Sequence, residues 1–432
     1  MRRDVTYIPT IDRDRYRYTL GINLAVFVTL ALGFAELASA DPAPGFAALL
    51  QQAQSSAPRL VESRANVESA QGMARQSAAF PNPVLDVRSE NFGGDGPYNR
   101  FARAETTVSL NQAVEINGKR AARIAAGRAD VNAVQAVSEQ LLVDFAYDLA
   151  VAYAEAESAQ TTVTIKTEDV ARTEEDLRAA RLLVKAGKEA DLRALQAQAA
   201  FAGAQAELER ARADSAATLA HLSTLVGVHD TYSAIGPSLL RAASDLKAPS
   251  PSPPDVFPTV LTAQADREAR VRQLALERKR SFGDVTLSFG TRRLAGEDVN
   301  ALVAGFSVPL PLFDRNRGAI EARGADLVAA DARLNAARLE AQADWNSAVV
   351  QAAAAQNRVR ASGEAESTAR EAYRLARLGY DAGRTPLFEL SASRRDLGEA
   401  QLRALDSRRA RIQAEATLAR LAGRIPFGDL NQ

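Results

Sequence analysis

The sequence contains no cysteine, which excludes disulfides, thiolate metal sites, a cysteine nucleophile and a lipid-modified N-terminal cysteine. It has only two histidines, His221 and His229, two methionines and one tryptophan, Trp345. Soft or borderline metal ions therefore find few side chains that could hold them tightly. It also shows no Gly-rich phosphate loop, nucleophile elbow or metal-ligand cluster. We therefore expect no enzymatic activity, no cofactor and no bound metal.

An excess of one charge is also missing, because Lys+Arg and Asp+Glu each number 53. This balance gives no electrostatic footprint for nucleic acid. After residue 40 no stretch approaches 18 apolar residues, so we expect no membrane-spanning helix in the mature chain. Residues 1–40 themselves predict a secretory signal: five arginines precede an apolar run, and Ala38-Ser39-Ala40 is a small-residue cleavage site before Asp41. An N-terminal membrane anchor is the alternative.

The chain contains one long unit twice. Residues 112–227 align without a gap to residues 308–423, an offset of 308 − 112 = 196. The match includes Ala186-Gly187-Lys188 with Ala382-Gly383-Arg384. A period this long indicates duplication of a whole structural unit rather than a short solenoid repeat.

Most of each unit is predicted to be helical. Residues 118–186 contain no proline, almost no glycine and a three-to-four-residue apolar period, which predicts a helix of about 100 Å. Gly187 and Gly383 predict the end of each long helix and the tip of a helical hairpin. The returning helices, 190–226 and 386–422, cover about half of their partners. Helices at 44–79 and 256–280 are expected to cover the remainder.

Four segments outside the helices alternate apolar and polar residues, at about 84–91, 104–113, 284–291 and 301–309. Such lengths suit tilted strands of an outer-membrane barrel, with hairpins packed on helices in a soluble protein as the alternative. Four strands cannot close a barrel, and lipid does not tolerate open edges. We therefore expect several subunits to share one barrel, and three chains would supply twelve strands.

These patterns predict a mainly α protein with a small β part, built from two repeats of a β-hairpin plus a long helical hairpin. The predicted division is a signal peptide at 1–40, a first repeat at 41–227 with its helical hairpin at 118–227, a linker at 228–257 about midway along the tube, a second repeat at 258–423 with its helical hairpin at 314–423, and a tail at 424–432.

Short motifs lie where strands and helices join: Phe80-Pro81-Asn82-Pro83, Leu110-Asn111-Gln112, Asn117-Gly118-Lys119-Arg120 and Val308-Pro309-Leu310-Pro311-Leu312. With these motifs and the duplication, essentially all of the mature chain resembles the TolC family of outer-membrane efflux channels. The Phe-Pro-Asn-Pro and Gly-Lys-Arg pieces look most like the CzcC branch, the outer-membrane partners of heavy-metal exporters.

The resemblance implies a homotrimer with a twelve-stranded barrel in outer-membrane lipid and a helical tube in the periplasm. It would serve as the passive exit duct of a tripartite system, with a periplasmic adaptor and an inner-membrane resistance-nodulation-division pump. The branch implies divalent heavy-metal cargo of the cobalt, zinc, cadmium or nickel type. A multidrug or polypeptide duct of the same fold is one alternative, and a periplasmic coiled-coil scaffold without a pore is another.

The resemblance also places adaptor docking at the two hairpin tips, at Ala186, Gly187, Lys188, Ala382, Gly383 and Arg384. The alternative is that the two glycines merely let the chain turn. Acidic residues beside the tips, Glu189, Asp191 and Asp381, could form a cation-attracting ring at the entrance of a trimer. Solvated surface carboxylates are the alternative for these three.

Overall fold

The computed structural model describes residues 41–242 and 253–427, and the predicted signal segment lies outside them. The described helices are α1 (Phe46–Ser56), α2 (Pro58–Ala78), α3 (Lys119–Lys185), α4 (Asp191–Val226), α5 (Leu239–Ala242), α6 (Pro258–Arg280), α7 (Arg317–Asp381) and α8 (Leu387–Leu421). The described strands are β1 (Val84–Glu90), β2 (Glu105–Val114), β3 (Val285–Leu294) and β4 (Val299–Ser307).

Two long helical hairpins dominate the molecule, as the duplication predicts. The 67 residues of α3 and the 65 residues of α7 each extend about 100 Å. Helix α4 returns along α3, and α8 returns along α7. Both long helices follow a residue in the left-handed conformation, Gly118 with φ 73° and Asn316 with φ 57°, which turns the chain from strand to helix.

The helices form a single layer. Nearer the sheet its order is α2, α3, α6 and α7, and nearer the tips it is α4, α3, α8 and α7. Helices α2 and α4 therefore continue one another beside α3. At their junction Gly227, with φ 82°, ends α4 against the backbone of Ser56, and the Ser56 hydroxyl donates a hydrogen bond to the carbonyl of Val226 over 2.7 Å.

One predicted helix is broken. The expected single helix over 44–79 is two helices, because Pro58 cannot donate an N–H and disfavours the helical conformation of the residue before it. Ala57 accordingly adopts φ −67° and ψ 122°, an extended conformation. The break bends the chain so that Leu49 and Ala53 of α1 are fully buried with the middle of α3.

The largest core lies halfway along α3, around Phe145, Leu149 and Tyr153, which are fully buried. The chain after α4 is fastened at the same height. The Tyr153 hydroxyl donates to the carbonyl of Pro237 over 2.7 Å, and the buried Glu157 carboxylate accepts the N–H groups of Leu239 and Leu240 at 2.9 and 3.0 Å.

A four-stranded antiparallel sheet in the order β1-β2-β3-β4 lies at the opposite end of the layer from the tips. The central pair, β2 with β3, joins the two repeats over ten residues. No described helix has both the length and the apolarity needed to cross a membrane.

Candidate functional site

The two hairpin tips share one backbone geometry. Gly187 (φ 67°) and Gly383 (φ 70°) occupy the left-handed position after the long helices. Lys188 N–H donates to the carbonyl of Leu183 at 2.9 Å, and Arg384 N–H donates to that of Gly379 at 2.8 Å. In each case the N–H bonds to the carbonyl five residues earlier, as in a Schellman motif, and this provides a partner for a carbonyl at the end of the helix. The six docking candidates, Ala186, Gly187, Lys188, Ala382, Gly383 and Arg384, are all exposed.

The second tip is closed more tightly than the first. Thr385 N–H also donates to the carbonyl of Gly379, at 3.1 Å. A Cβ on Gly379 would lie 2.1 Å from the Thr385 hydroxyl, so the side chain of Thr385 occupies the space that glycine leaves. The first tip has Leu183 and Glu189 at the matching positions. The two tips therefore present different surfaces.

The three acidic candidates lie beside the tips. Glu189 is 3.7 Å from Arg193, and Asp381 is 3.4 Å from Arg377. Asp191 begins α4, where a carboxylate favours the positive end of the helix dipole. An ion pair or a helix terminus thus accounts locally for each of them, and the ring that they would form in a trimer stays a prediction.

A buried ionic cluster joins the two hairpins behind the tips. The Arg394 guanidinium of α8 lies 2.5 Å from Asp169 and 3.6 Å from Asp176, both on α3. Arg377 of α7 approaches Asp176 to 3.7 Å and Glu175 to 3.3 Å. Arg394 and Asp176 are almost fully buried. The cluster therefore ties α3 of the first repeat to both helices of the second.

Burial makes it costly to keep the acidic groups of this cluster charged. It raises the pKa of the Asp176 carboxyl, and Arg394 and then Arg377 only partly offset the effect. Burial likewise raises the pKa of the nearby Tyr380 hydroxyl, and the Asp176 charge raises it further. One oxygen of Asp176 and the Tyr380 hydroxyl accept or donate no hydrogen bond among the described residues.

Sequence reasoning missed this cluster. A usable signal was present, because Asp176 occupies a core position in the helical period that also buries Thr173, Leu177 and Ala180. A carboxylate at such a position calls for a buried cation. The sequence does not say which cation, since Arg394 lies more than two hundred residues further along the chain.

A groove of about 1080 Å³ lies between α2, α3 and α6 and reaches α7. Its ionisable lining residues balance in charge: Arg59, Arg270 and Arg333 against Glu62, Asp130 and Asp266. Among the residues that the structure describes, no group of three or more His, Cys, Asp or Glu could hold a metal ion.

The sheet has one apolar and one polar face. Leu85, Leu110, Phe289 and Ala304 form a single row across all four strands, and Leu302 and Phe306 of β4 are 89% and 77% exposed on the same face. On the other face Arg292 donates to Thr107 at 3.0 Å and to Glu105 at 3.1 Å. The alternation predicted from the sequence is therefore present, and no described residue covers the apolar side chains.

The Phe80-Pro81-Asn82-Pro83 and Asn117-Gly118-Lys119-Arg120 motifs contact one another where the sheet meets the helices. The Arg120 guanidinium lies 4.1 Å from the centre of the Phe80 ring, an attractive cation–π geometry. Lys119 lies 2.6 Å from Asp284, which connects the first helical hairpin to the strands of the second repeat. Arg123 donates to the carbonyl of Ala79 at 3.0 Å. These contacts fix the angle between sheet and helices.

Both edges of the molecule, in the sheet and in the helical layer, lack a neighbouring element among the described residues. Among the described strands, β1 pairs only with β2 and β4 only with β3. Helix α7 is apolar on two opposite sides. One side is buried within the chain and includes Trp345; the other exposes Val328, Leu339 and Val350 at 69%, 75% and 68%. These three recur every 339 − 328 = 11 residues, or about three turns, so they form one straight line.

The opposite edge of the layer is lined mostly by small residues, and Arg210 lies in the same line. Helix α4 buries one side against α3 and exposes small residues on the other: Ala199, Ala202, Ala206, Ala213 and Ala217. Near the tips the exposed side ends in Leu192 and Leu195, which are 61% and 63% exposed. On α7, Leu375 and Leu378 lie at a similar height above the tips and are about as exposed. The two edges could therefore pack closely against one another.

The profile of the outer membrane efflux protein family matches residues 49–228 and 257–424, which include both repeats. The chain belongs to this family. It is 41% identical to the nickel-cobalt-cadmium resistance protein NccC of Alcaligenes xylosoxydans xylosoxydans, over 94% of this chain and 92% of that one. It is 42% identical to the nickel and cobalt resistance protein CnrC of Cupriavidus metallidurans, over 90% and 93%.

The resemblance to the CzcC branch is confirmed as well. The chain is 26% identical to the cobalt-zinc-cadmium resistance protein CzcC of Cupriavidus metallidurans, over 83% of this chain and 85% of that one. Among solved structures, the CusC channel superposes with a TM-score of 0.74 at 15% identity, covering 88% of this chain and 92% of CusC. This efflux protein therefore has the TolC-type fold, two repeats of a β-hairpin and a long helical hairpin.

Proposed function

We propose that three copies of this chain form one passive exit duct for divalent heavy-metal cations in the outer membrane. The observation that carries the proposal is the pair of complementary open edges, in the sheet and in the helical layer. Three four-stranded sheets supply twelve strands, an even number as in other outer-membrane barrels. The exposed apolar face of the sheet would then contact lipid, and the polar face would line water.

The cargo follows from the relatives. NccC and CnrC are both named for nickel and cobalt resistance, and they match more than nine-tenths of their length to this chain. The groove between α2, α3 and α6 carries equal numbers of acidic and basic side chains, and such a lining would suit ions that pass through water without tight coordination. Transport energy would come from an inner-membrane pump, and a periplasmic adaptor would connect that pump to the tips.

Cross-linking tests the assembly sharply, because the chain has no cysteine of its own. In Leu195→Cys/Leu375→Cys, each subunit carries one thiol on either edge, at similar heights above the tips. Oxidation is expected to give covalent trimers, since helices in contact bring facing Cβ atoms within disulfide reach. In the matched control Arg212→Cys/Leu375→Cys, the first thiol lies about 25 Å further up α4 and should not react.

Two results would contradict this proposal. A monomer in the soluble periplasmic extract, without cross-links, would favour a scaffold. In a strain lacking the gene, unchanged tolerance to nickel, cobalt, cadmium and zinc with lost tolerance to organic toxicants would favour a drug duct.

Adaptor docking is tested at the tips. Lys188→Glu with Arg384→Glu should reduce co-purification of the adaptor, because both side chains are exposed at the ends of the hairpins. The control Arg212→Glu with Arg403→Glu makes the same two charge reversals on exposed side chains of α4 and α8. Equal adaptor recovery from the tip variant and the control would refute docking at these residues.

A further inference from the structure

Residues 308–317, from the end of β4 to the first residue of α7, expose an unusual amount of apolar surface. We call them the rim segment, because they lie where the sheet meets the helical layer. Leu310 and Leu312 are 73% and 64% exposed, and Phe313 is fully exposed at 100%. No described residue of the chain covers them. An apolar group this exposed in a folded protein marks a contact with something else.

The rim segment continues the apolar face of the sheet. Leu302, Ala304 and Phe306 of β4 share that face, since successive residues of a strand point to opposite sides. Val308 and Leu310 follow in the same alternation. A turn in which Leu312 N–H donates to the carbonyl of Leu310 at 2.8 Å then leads to Phe313. The apolar surface therefore extends past the last paired residue of β4.

At three of the six positions from Val308 to Phe313, the backbone leaves no N–H group unpaired. Pro309 and Pro311 have no N–H to leave unpaired, and the N–H of Leu312 is paired within the segment. An unpaired N–H group costs free energy in lipid, so irregular backbone at that depth is favoured where few N–H groups are unpaired. The first repeat differs at the matching residues: β2 continues to Val114, and Glu115 lies 2.5 Å from Arg123.

Basic residues outnumber acidic ones around the rim segment. Phe313 is followed by Asp314, Arg315 and Arg317, all exposed, so two arginines accompany one carboxylate. The side-chain amide of Asn316 donates to the backbone carbonyl and the carboxylate of Glu277, both at 2.9 Å, which holds this end of α7 against the end of α6. Helix α6 ends there in Arg278, Lys279 and Arg280. Apart from Arg280, which pairs with Glu277, these cations form no ion pair within the described ranges.

We propose that the rim segment anchors the duct in lipid, with Leu310, Leu312 and Phe313 among the acyl chains and Arg315 and Arg317 on anionic phospholipid headgroups. An apolar tip flanked by basic residues is the pattern of an interfacial anchor. This inference rests on the proposed function, in which the apolar face of the sheet contacts lipid. A neighbouring subunit would pair with the backbone of β4 and leave side chains perpendicular to the sheet uncovered.

Site-directed fluorescence tests the insertion. Phe313→Cys is labelled with a polarity-sensitive dye, and trimers are reconstituted into phosphatidylcholine vesicles with or without phosphatidylglycerol. Lipids brominated on their acyl chains should quench the dye, and aqueous iodide should not. Leu302→Cys, in the middle of the apolar face, reports on the proposed function. Arg88→Cys, on the polar face, should respond to iodide.

Each outcome is decisive. Iodide quenching at residue 313 with lipid quenching at residue 302 would overturn the anchor and leave the duct intact. Iodide quenching at both positions would refute the lipid-facing sheet and with it the proposed function. Protection of residue 313 from both quenchers would mean that another subunit covers it, which also overturns the anchor.

The headgroup contact has its own test. Quenching of the residue 313 dye by brominated phosphatidylglycerol, relative to brominated phosphatidylcholine, measures the preference for anionic lipid. Arg315→Gln/Arg317→Gln should reduce that preference by about fivefold for each arginine removed. The control Arg210→Gln/Arg212→Gln removes the same charge from α4. An equal preference in the two variants would refute the headgroup contact.

Discussion

Replacing Arg394 by leucine tests how the two helical hairpins are held together behind their tips. Arg394 has a side chain that is only 7% exposed, and it lies between Asp169 and Asp176. Without it Asp176, with a side chain 6% exposed, keeps only Arg377 at 3.7 Å. Stranding one partner of a buried ion pair costs about 3–5 kcal/mol. Because Asp169 is partly solvated and Arg377 remains, we expect the lower end, about 3 kcal/mol.

Hydrogen exchange of backbone amides near Asp169 and Leu390 measures this cost, since it reports local opening of the packed helices. A loss of about 3 kcal/mol corresponds to exchange on the order of a hundredfold faster. The control is Arg403→Leu on the same helix, whose ion pair with Glu399 has side chains 69% and 67% exposed. Such surface pairs contribute roughly 0–1 kcal/mol.

A double variant distinguishes the loss of the ion pair from the loss of side-chain packing. Arg394→Leu/Asp176→Leu removes the stranded charge, so most of the protection should return, as it does when a buried pair is replaced by apolar side chains. If Arg394→Leu exchanged no faster than Arg403→Leu, or if the double variant were no slower than the single one, the cluster would not hold the hairpins.

Three further predictions concern Asp176, Gly227 and Glu157. Because burial raises the pKa of Asp176, the folded protein binds this proton more tightly than the unfolded chain does. The contribution of the proton to stability is present at acid pH and is lost as pH rises through the raised pKa. Urea midpoints of Asp176→Asn, measured against pH, should lack this part of the pH dependence. Gly227→Ala should destabilise by roughly 3 kcal/mol, because φ is 82° and the new Cβ would lie 2.3 Å from the carbonyl oxygen of Ser56. The same measurement on Gly203→Ala, where space is open within a helix, should show a gain of up to about 1 kcal/mol. Glu157→Leu should speed amide exchange at Leu239, because a buried N–H left unpaired costs about 1–3 kcal/mol. Unchanged exchange there would refute the role of Glu157 in holding the chain after α4 against α3.

Several elements could be predicted because their causes are local. The two long helices follow from their composition and apolar period, and Gly187 and Gly383 end them within a residue or two of the predicted positions. The kink before Pro58 was missed although its cause is local too, since a proline restricts the residue that precedes it. The adaptor contact at the tips and the acidic ring stay predictions.

The amino-acid sequence by itself determined the duplication, the helical hairpins and the alternating strands, because each is a periodic property of neighbouring residues. Only the tertiary structure decided that β2 pairs with β3, that Arg394 meets Asp176, and that an apolar line on α7 and a rim segment beside β4 stay uncovered within one chain. Those facts depend on which distant segments come together. Burial and pairing are properties of that arrangement, and no local pattern specifies it.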